Sequence, residues 1–321
     1  MSQIKANGLS LHVEQLDPTD PIRCTNWPGP GPAPVQTVVL IHGLALENLA
    51  TWYLTIAGPL AEAGLRVITY DLRGHGRSER PRTGYSLDCH VNDLEALLAA
   101  LAVDGPVHLI GNSYGGTIAW AYALRHPKRV VGVAAIESVP MTQRWAYKLA
   151  GKLTLPTETG RKSARSVAKY SFGLEPTPRA VRAAQQIMDE TTLGQDVLTS
   201  RVSAESEFAQ LDLPVMCIYG GDSDVSKLTQ YVARMFLRAR TVILPGQGHS
   251  LLVDDTASVR NLLICWLRQD CGLPVRSPAQ PLLSADPAAT PVASARQTQR
   301  LCPGPGHQRG ANCRWTSGDV I

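Results

Sequence analysis

The chain has 321 residues, long enough for one large domain or two of ordinary size. Hydrophobic residues make up 44% and charged residues 18%, which excludes a disordered chain and leaves ample material for a core. The formal charge of +4 is unevenly placed: residues 139–205 carry ten Lys/Arg against six Asp/Glu, and the tail from Cys271 carries five arginines against two aspartates. No dense basic run is interleaved with aromatics, so nucleic acid is not an expected partner.

Met1 to Leu16 alternates polar and apolar residues and lacks the apolar central run of a secretory signal. No apolar stretch reaches the roughly 20 residues of a membrane span. The seven cysteines are scattered, with no metal-type pairing two residues apart. Cys302, His307 and Cys313 lie in the tail and read as accidental neighbours rather than metal ligands. A soluble cytoplasmic protein, without a membrane partner, is the expectation.

In chain order, "IKANG" followed by "LSLHVEQL" predicts a strand pair around the turn Asn7-Gly8. "PGPGPAP" (Pro28–Pro34) is a loop. Then come short apolar, β-branched runs: Thr37–Gly43, Arg66–Asp71, Val107–Asn112, Val130–Glu137, Val215–Gly221 and Thr241–Gly246. Runs that are apolar throughout are buried on both faces, which predicts a mostly parallel central sheet. Helical segments alternate with them at 52–63, 88–102, 114–126, 227–236 and 256–270. Leu94, Leu97, Leu98 and Leu101 share one face of the second. The pattern predicts a doubly wound α/β architecture. Residues 139–205 break the alternation and read as a helical cap inserted into a core made of 1–138 and 206–270. The tail 271–321 has no periodicity and reads as disordered.

The chemistry concentrates in "HLIGNSYGG". Gly111-Asn112-Ser113-Tyr114-Gly115 is a G-x-S-x-G placed between a predicted strand and a predicted helix. Such a turn strains the serine backbone and needs glycines two residues to either side. A serine hydroxyl needs a base. His249, in "LPGQGHSLL" after the last predicted strand, supplies one, because loops at the carboxyl ends of parallel strands converge on one edge. His108 reads as packed within a strand, whereas His12, His90 and His126 fall at surface positions. The base needs an acid to orient it. Gly221-Asp222-Ser223-Asp224 follows a strand and offers two carboxylates, and Glu137 is a third. Asp224 is the first choice. Oxyanion donors are expected from the backbone N–H of Tyr114 and, after His42-Gly43, of Leu44.

Together with "LIHGL" and "YDLRGHGRS" (Tyr70–Ser78), these segments resemble the cap-bearing branch of the α/β-hydrolase superfamily over about residues 1–270. The resemblance implies an eight-stranded, mostly parallel sheet with a lid after the sixth strand. It also implies Ser113 as nucleophile, His249 as base, Leu44 and Tyr114 as oxyanion amides, and neither metal nor organic cofactor. That family places its acid three residues after the glycine ending the seventh strand. Counted from Gly220 this is Ser223; counted from Gly221 it is Asp224, favoured if the loop holds one extra residue. A serine nucleophile implies attack on a small acyl substrate, an ester, lactone or thioester, with a carrier-linked acyl group suggested by the basic cap. Carbon–carbon bond hydrolysis, acyl transfer and cofactor-free oxidation use the same triad, and a slow-turnover ligand receptor is the non-enzymatic alternative.

Overall fold

The chain opens on a hairpin, β1 (Ser2–Ala6) and β2 (Leu9–Leu16), closed by Asn7 and Gly8 at φ 49° and 75°. Positive φ at both central residues gives the turn the twist that two strands require. The computed structural model describes residues 2–24, 31–154, 176–236 and 238–269, with the backbone alone for 151–154. Residues 28–30 of the loop 28–34 and the whole tail from Cys271, with Cys302, His307 and Cys313, lie outside the described residues.

Six further strands follow: β3 (Thr37–Ile41), β4 (Arg66–Tyr70), β5 (Val107–Asn112), β6 (Val130–Ile136), β7 (Val215–Gly220) and β8 (Ala239–Leu244). They form one sheet in the order β1-β2-β4-β3-β5-β6-β7-β8. The pairs β1/β2 and β2/β4 are antiparallel and all others parallel.

Both faces of this sheet are covered, and the alternation along β3 shows how. Val39 and Ile41 pack into one core with the helices Leu87–Ala100 and Tyr114–Arg125, which contribute Leu94, Leu97, Leu98, Ile118 and Trp120. Val38 and Leu40 pack into the opposite core with Trp52, Ile56 and Leu60, and with Val259, Leu263 and Trp266 of the helix Thr256–Gln269. The period-two pleat therefore explains the continuous apolar runs of the sequence. Between β6 and β7 lie the helices Gln143–Thr154, Pro178–Glu190 and Leu193–Leu198. Residues 155–175 of this insertion are outside the described residues.

Two of the surface assignments are corrected by the packing. His12 is 6% exposed, because β2 is an inner strand and not an edge. His90 is 1% exposed, against the rings of Tyr85 and Tyr114 at the start of the first core helix. His108 is fully buried, its Nε2 3.1 Å from Gln36 Oε1.

Candidate active site

β5 ends at Asn112, and the chain turns straight into the helix Tyr114–Arg125 through Ser113 at φ 51°, ψ −119°. That left-handed backbone is costly for a residue with a Cβ and persists only where the surroundings enforce it. Here Ser113 N–H donates to Ile136 C=O at 2.8 Å, locking the turn to the end of β6. The glycines on either side allow the close approach. A Cβ on Gly111 would fall within the backbone of Gly115 and Gly116, and a Cβ on Gly115 within the carbonyl oxygen of Ile41. The helix therefore starts in contact with the end of β3 and presents its first amide, that of Tyr114, beside the loop that follows β3.

His249 arrives from the loop after β8. Its Nε2 lies 3.2 Å from Ser113 Oγ, and its ring is buried. Gly220, the last residue of β7, makes room for this loop, because a Cβ there would fall within the carbonyl oxygens of Gln247 and Gly248.

The carboxylate on His249 is that of Glu137, whose Oε2 accepts from Nδ1 at 2.7 Å. This corrects the choice of Asp224. Asp224 points instead into the exposed helical turn that follows and pairs with Lys227 Nζ at 2.7 Å, with 54% of its side chain accessible. Asp222 is exposed too. Glu137 is 1% exposed and fully engaged: Gly220 N–H donates to its Oε1 at 2.5 Å, and the Ser223 hydroxyl donates to Oε2. Because β7 ends at Gly220, the position three residues on is Ser223, with no extra residue in the loop. A hydroxyl stands where the family's acid is expected, and it hydrogen-bonds an acid supplied by the neighbouring strand.

The register places that acid. β6 lies between β5, which carries Ser113, and β7. Glu137, directly after β6, has a φ of 51° and donates its N–H to Ile218 C=O at 2.8 Å. Two successive strained residues at adjacent strand ends, Ser113 and Glu137, thus turn their side chains toward one histidine. With Nδ1–H given to Glu137, the imidazole keeps its Nε2 lone pair for the Ser113 hydroxyl.

The loop after β3 is held by "YDLRGHGRS". Asp71 accepts from Leu49 N–H, Arg77 N–H and His12 Nδ1, each at 2.8 Å. His42 Nε2 accepts from Leu72 N–H at 2.9 Å, so its Nδ1 carries the proton and donates to Gly43 C=O at 2.7 Å. Burial lowers the pKa of His42 and holds it neutral. Arg73 forms a buried ion pair with Asp93, Nε to Oδ2 at 2.6 Å, anchoring the same segment to the helix Leu87–Ala100. Beside this loop lies a cavity of about 660 Å³, lined by Ala45 and Leu46 on one side and Ala180, Ala183 and Ile187 of the insertion on the other. Ser113 and His249 are not among its lining residues.

Fold and site define an α/β hydrolase: a strained serine between a parallel strand and a helix, with histidine and acid delivered from neighbouring strand ends. The comparison with known families agrees. The family model described as alpha/beta hydrolase fold matches residues 36–256, and the chain belongs to that family of hydrolases. An uncharacterised protein of Mycobacterium tuberculosis is 30% identical over 258 residues, covering 71% of this chain and 73% of that protein. A non-heme chloroperoxidase of Streptomyces lividans is 36% identical over 115 residues, 34% of this chain and 39% of that enzyme. Among solved structures, a carboxylesterase of Bacillus subtilis superposes with a TM-score of 0.63 at 18% identity, covering 83% of this chain and 90% of the other. A meta-cleavage product hydrolase of Pseudomonas fluorescens superposes with a TM-score of 0.62 at 20% identity, covering 84% and 97%. Identities this low speak for the fold alone.

Proposed function

We propose that the protein is a serine hydrolase that cleaves a small carboxylic ester, lactone or thioester through an acyl-enzyme, with Ser113, His249 and Glu137 as its triad. The observation that carries this reading is the continuous relay from Ser113 Oγ to His249 Nε2 at 3.2 Å and from His249 Nδ1 to Glu137 Oε2 at 2.7 Å. Ser113 Oγ attacks the acyl carbon and passes its proton to His249 Nε2. The buried Glu137 carboxylate holds the imidazole in the required tautomer and stabilises the imidazolium that forms. The carbonyl oxygen, now an oxyanion, accepts hydrogen bonds from the Leu44 and Tyr114 amides. His249 then returns the proton to the leaving oxygen or sulfur as the acyl bond breaks. Water, deprotonated by the same histidine, releases the acid and restores Ser113.

The insertion 139–205 acts in this reading as a cap that shapes and dries the pocket, and its basic excess favours acidic or carrier-linked acyl groups. No helix among the described residues is long and apolar enough to cross a membrane. A fluorophosphonate probe tests the central claim. Covalent labelling at Ser113, located by mass spectrometry and lost in Ser113→Ala, is the expected result, with turnover of short-chain esters, lactones or acyl thioesters lost in the same variant. Full turnover by Ser113→Ala would remove the nucleophile from the scheme. Labelling without turnover would turn the reading toward a ligand receptor.

A further inference from the structure

An oxyanion donor must be an amide that no other group has taken. In the loop after β3 the three consecutive amides of Gly43, Leu44 and Ala45 are treated differently. Gly43 N–H donates to Glu47 Oε2 at 2.8 Å. Ala45 N–H donates to His75 Nε2 at 2.7 Å. Leu44 N–H, between them, has no acceptor among the described residues. The Leu44 carbonyl is turned away and accepts from Leu46 N–H at 2.7 Å, a three-residue closure with Ala45 at φ 62°. Turns of this hand are uncommon for residues other than glycine and need outside support.

Both supports are tied to the catalytic frame. The other oxygen of Glu47 accepts from Asn112 Nδ2 at 2.7 Å, and Asn112 is the residue before Ser113. One carboxylate thereby spans the oxyanion loop and the serine turn. His75 lends a lone pair from Nε2 because its Nδ1–H donates to Arg73 C=O at 2.8 Å. Gly43 fits the arrangement, since a Cβ there would lie 2.9 Å from Glu47 Oε1.

We propose that Glu47 and His75 are positioning residues of the oxyanion loop, which occupy the amides on either side of Leu44 and so leave that one donor for the developing negative charge. The proposal rests on the serine-hydrolase reading above. It predicts rescue by amide side chains. In Glu47→Gln the amide oxygen takes the place of Glu47 Oε2 and accepts from Gly43 N–H. The new NH₂ meets Asn112 Oδ1, which is buried without a partner, once the Asn112 amide turns over. In His75→Gln an acceptor oxygen remains for Ala45 N–H. Leucine at either position has no acceptor.

The test is steady-state and burst kinetics of the full chain carrying Glu47→Leu, Glu47→Gln, His75→Leu and His75→Gln. Each leucine variant is expected to lose about 10²–10³-fold in kcat, the effect of one oxyanion donor, with KM within about threefold. The glutamine variants are expected to recover to within about tenfold of the parent. Unchanged kcat in the leucine variants overturns the proposal, as does a loss that follows the folded fraction and is not rescued by glutamine. Amide hydrogen exchange of the parent chain decides independently of activity. Slow exchange at Gly43 and Ala45, released selectively by the matching leucine variant, supports the clamp. Exchange there as fast as at Leu44 overturns it. Absence of fluorophosphonate labelling at Ser113 would defeat the hydrolase reading by itself, while the exchange measurement would still decide the clamp.

Discussion

Replacing Glu137 by glutamine isolates the acid of the relay with little change in volume. The carboxylate accepts three bonds, from His249 Nδ1, Gly220 N–H and the Ser223 hydroxyl. Glutamine keeps one oxygen, which serves Gly220, but turns an NH₂ toward His249. Two donors then face each other, and the imidazole relieves the clash by moving its proton to Nε2. In that tautomer Nε2 cannot accept from Ser113 Oγ, although the side chains stay in place. By analogy with other triads the rate falls about 10⁴-fold, equivalent to about 5.5 kcal/mol of transition-state stabilisation. The folded state loses about 1–3 kcal/mol, since one buried polar partner is exchanged for a poorer one. Asp224→Asn is the control. Its pair with Lys227 is exposed, so the effect on stability is below about 1 kcal/mol and kcat/KM stays within about twofold. The assay is hydrolysis of a chromogenic short-chain ester, with thermal unfolding to confirm that both variants fold. A Glu137→Gln enzyme keeping more than about a tenth of the parent rate, beside an Asp224→Asn enzyme that is nearly dead, would refute the assignment.

Gly220→Ala pushes a methyl group into the carbonyl oxygens of Gln247 and Gly248 and displaces the loop carrying His249; kcat is expected to fall at least about tenfold while the far-UV circular dichroism is retained. Stability should depend on pH in a definite direction. Burial lowers the pKa of His42 and His75 and brings His90 and His108 down to about 4, whereas the unfolded chain titrates near 6.5. Between those values the unfolded state binds more protons, so the stability these residues contribute is complete above about pH 6.5 and declines as the pH falls, by up to about 1.4 kcal/mol per unit for each histidine. Urea midpoints that stay flat from pH 7 to pH 5 would contradict this. Deleting residues 277–321 should leave ester turnover unchanged, because every group of the relay and both oxyanion amides lie before residue 250; a large loss of kcat/KM would show that the tail takes part.

The parts of the site that depend on local chain geometry were legible in the sequence. A serine flanked by glycines between a β-branched run and a helix former is a turn whose steric demands are written in five consecutive residues. His249 was legible for a related reason, because a glycine-bounded loop after the last parallel strand has one edge to reach. The two histidines expected at the surface are buried for different reasons: strand order makes β2 an inner strand, whereas His90, four residues before Leu94, shares the leucine face of Leu87–Ala100. The acid is the most instructive case. Three carboxylates sat at the carboxyl ends of neighbouring strands, and choosing among them depended on where β7 stops. It stops at Gly220, which puts Ser223 at the expected position and sends Asp224 to the surface. A serine there, one strand away from a glutamate directly after β6, was the available signal. The sequence by itself determined the strained serine turn, the loop that carries His249 and the layered α/β architecture, since glycine placement and the apolar runs specify turns, strands and helices locally. The tertiary structure decided which carboxylate meets His249 and which side chains take the Gly43 and Ala45 amides, since these depend on register between strands and on partners up to 112 residues apart.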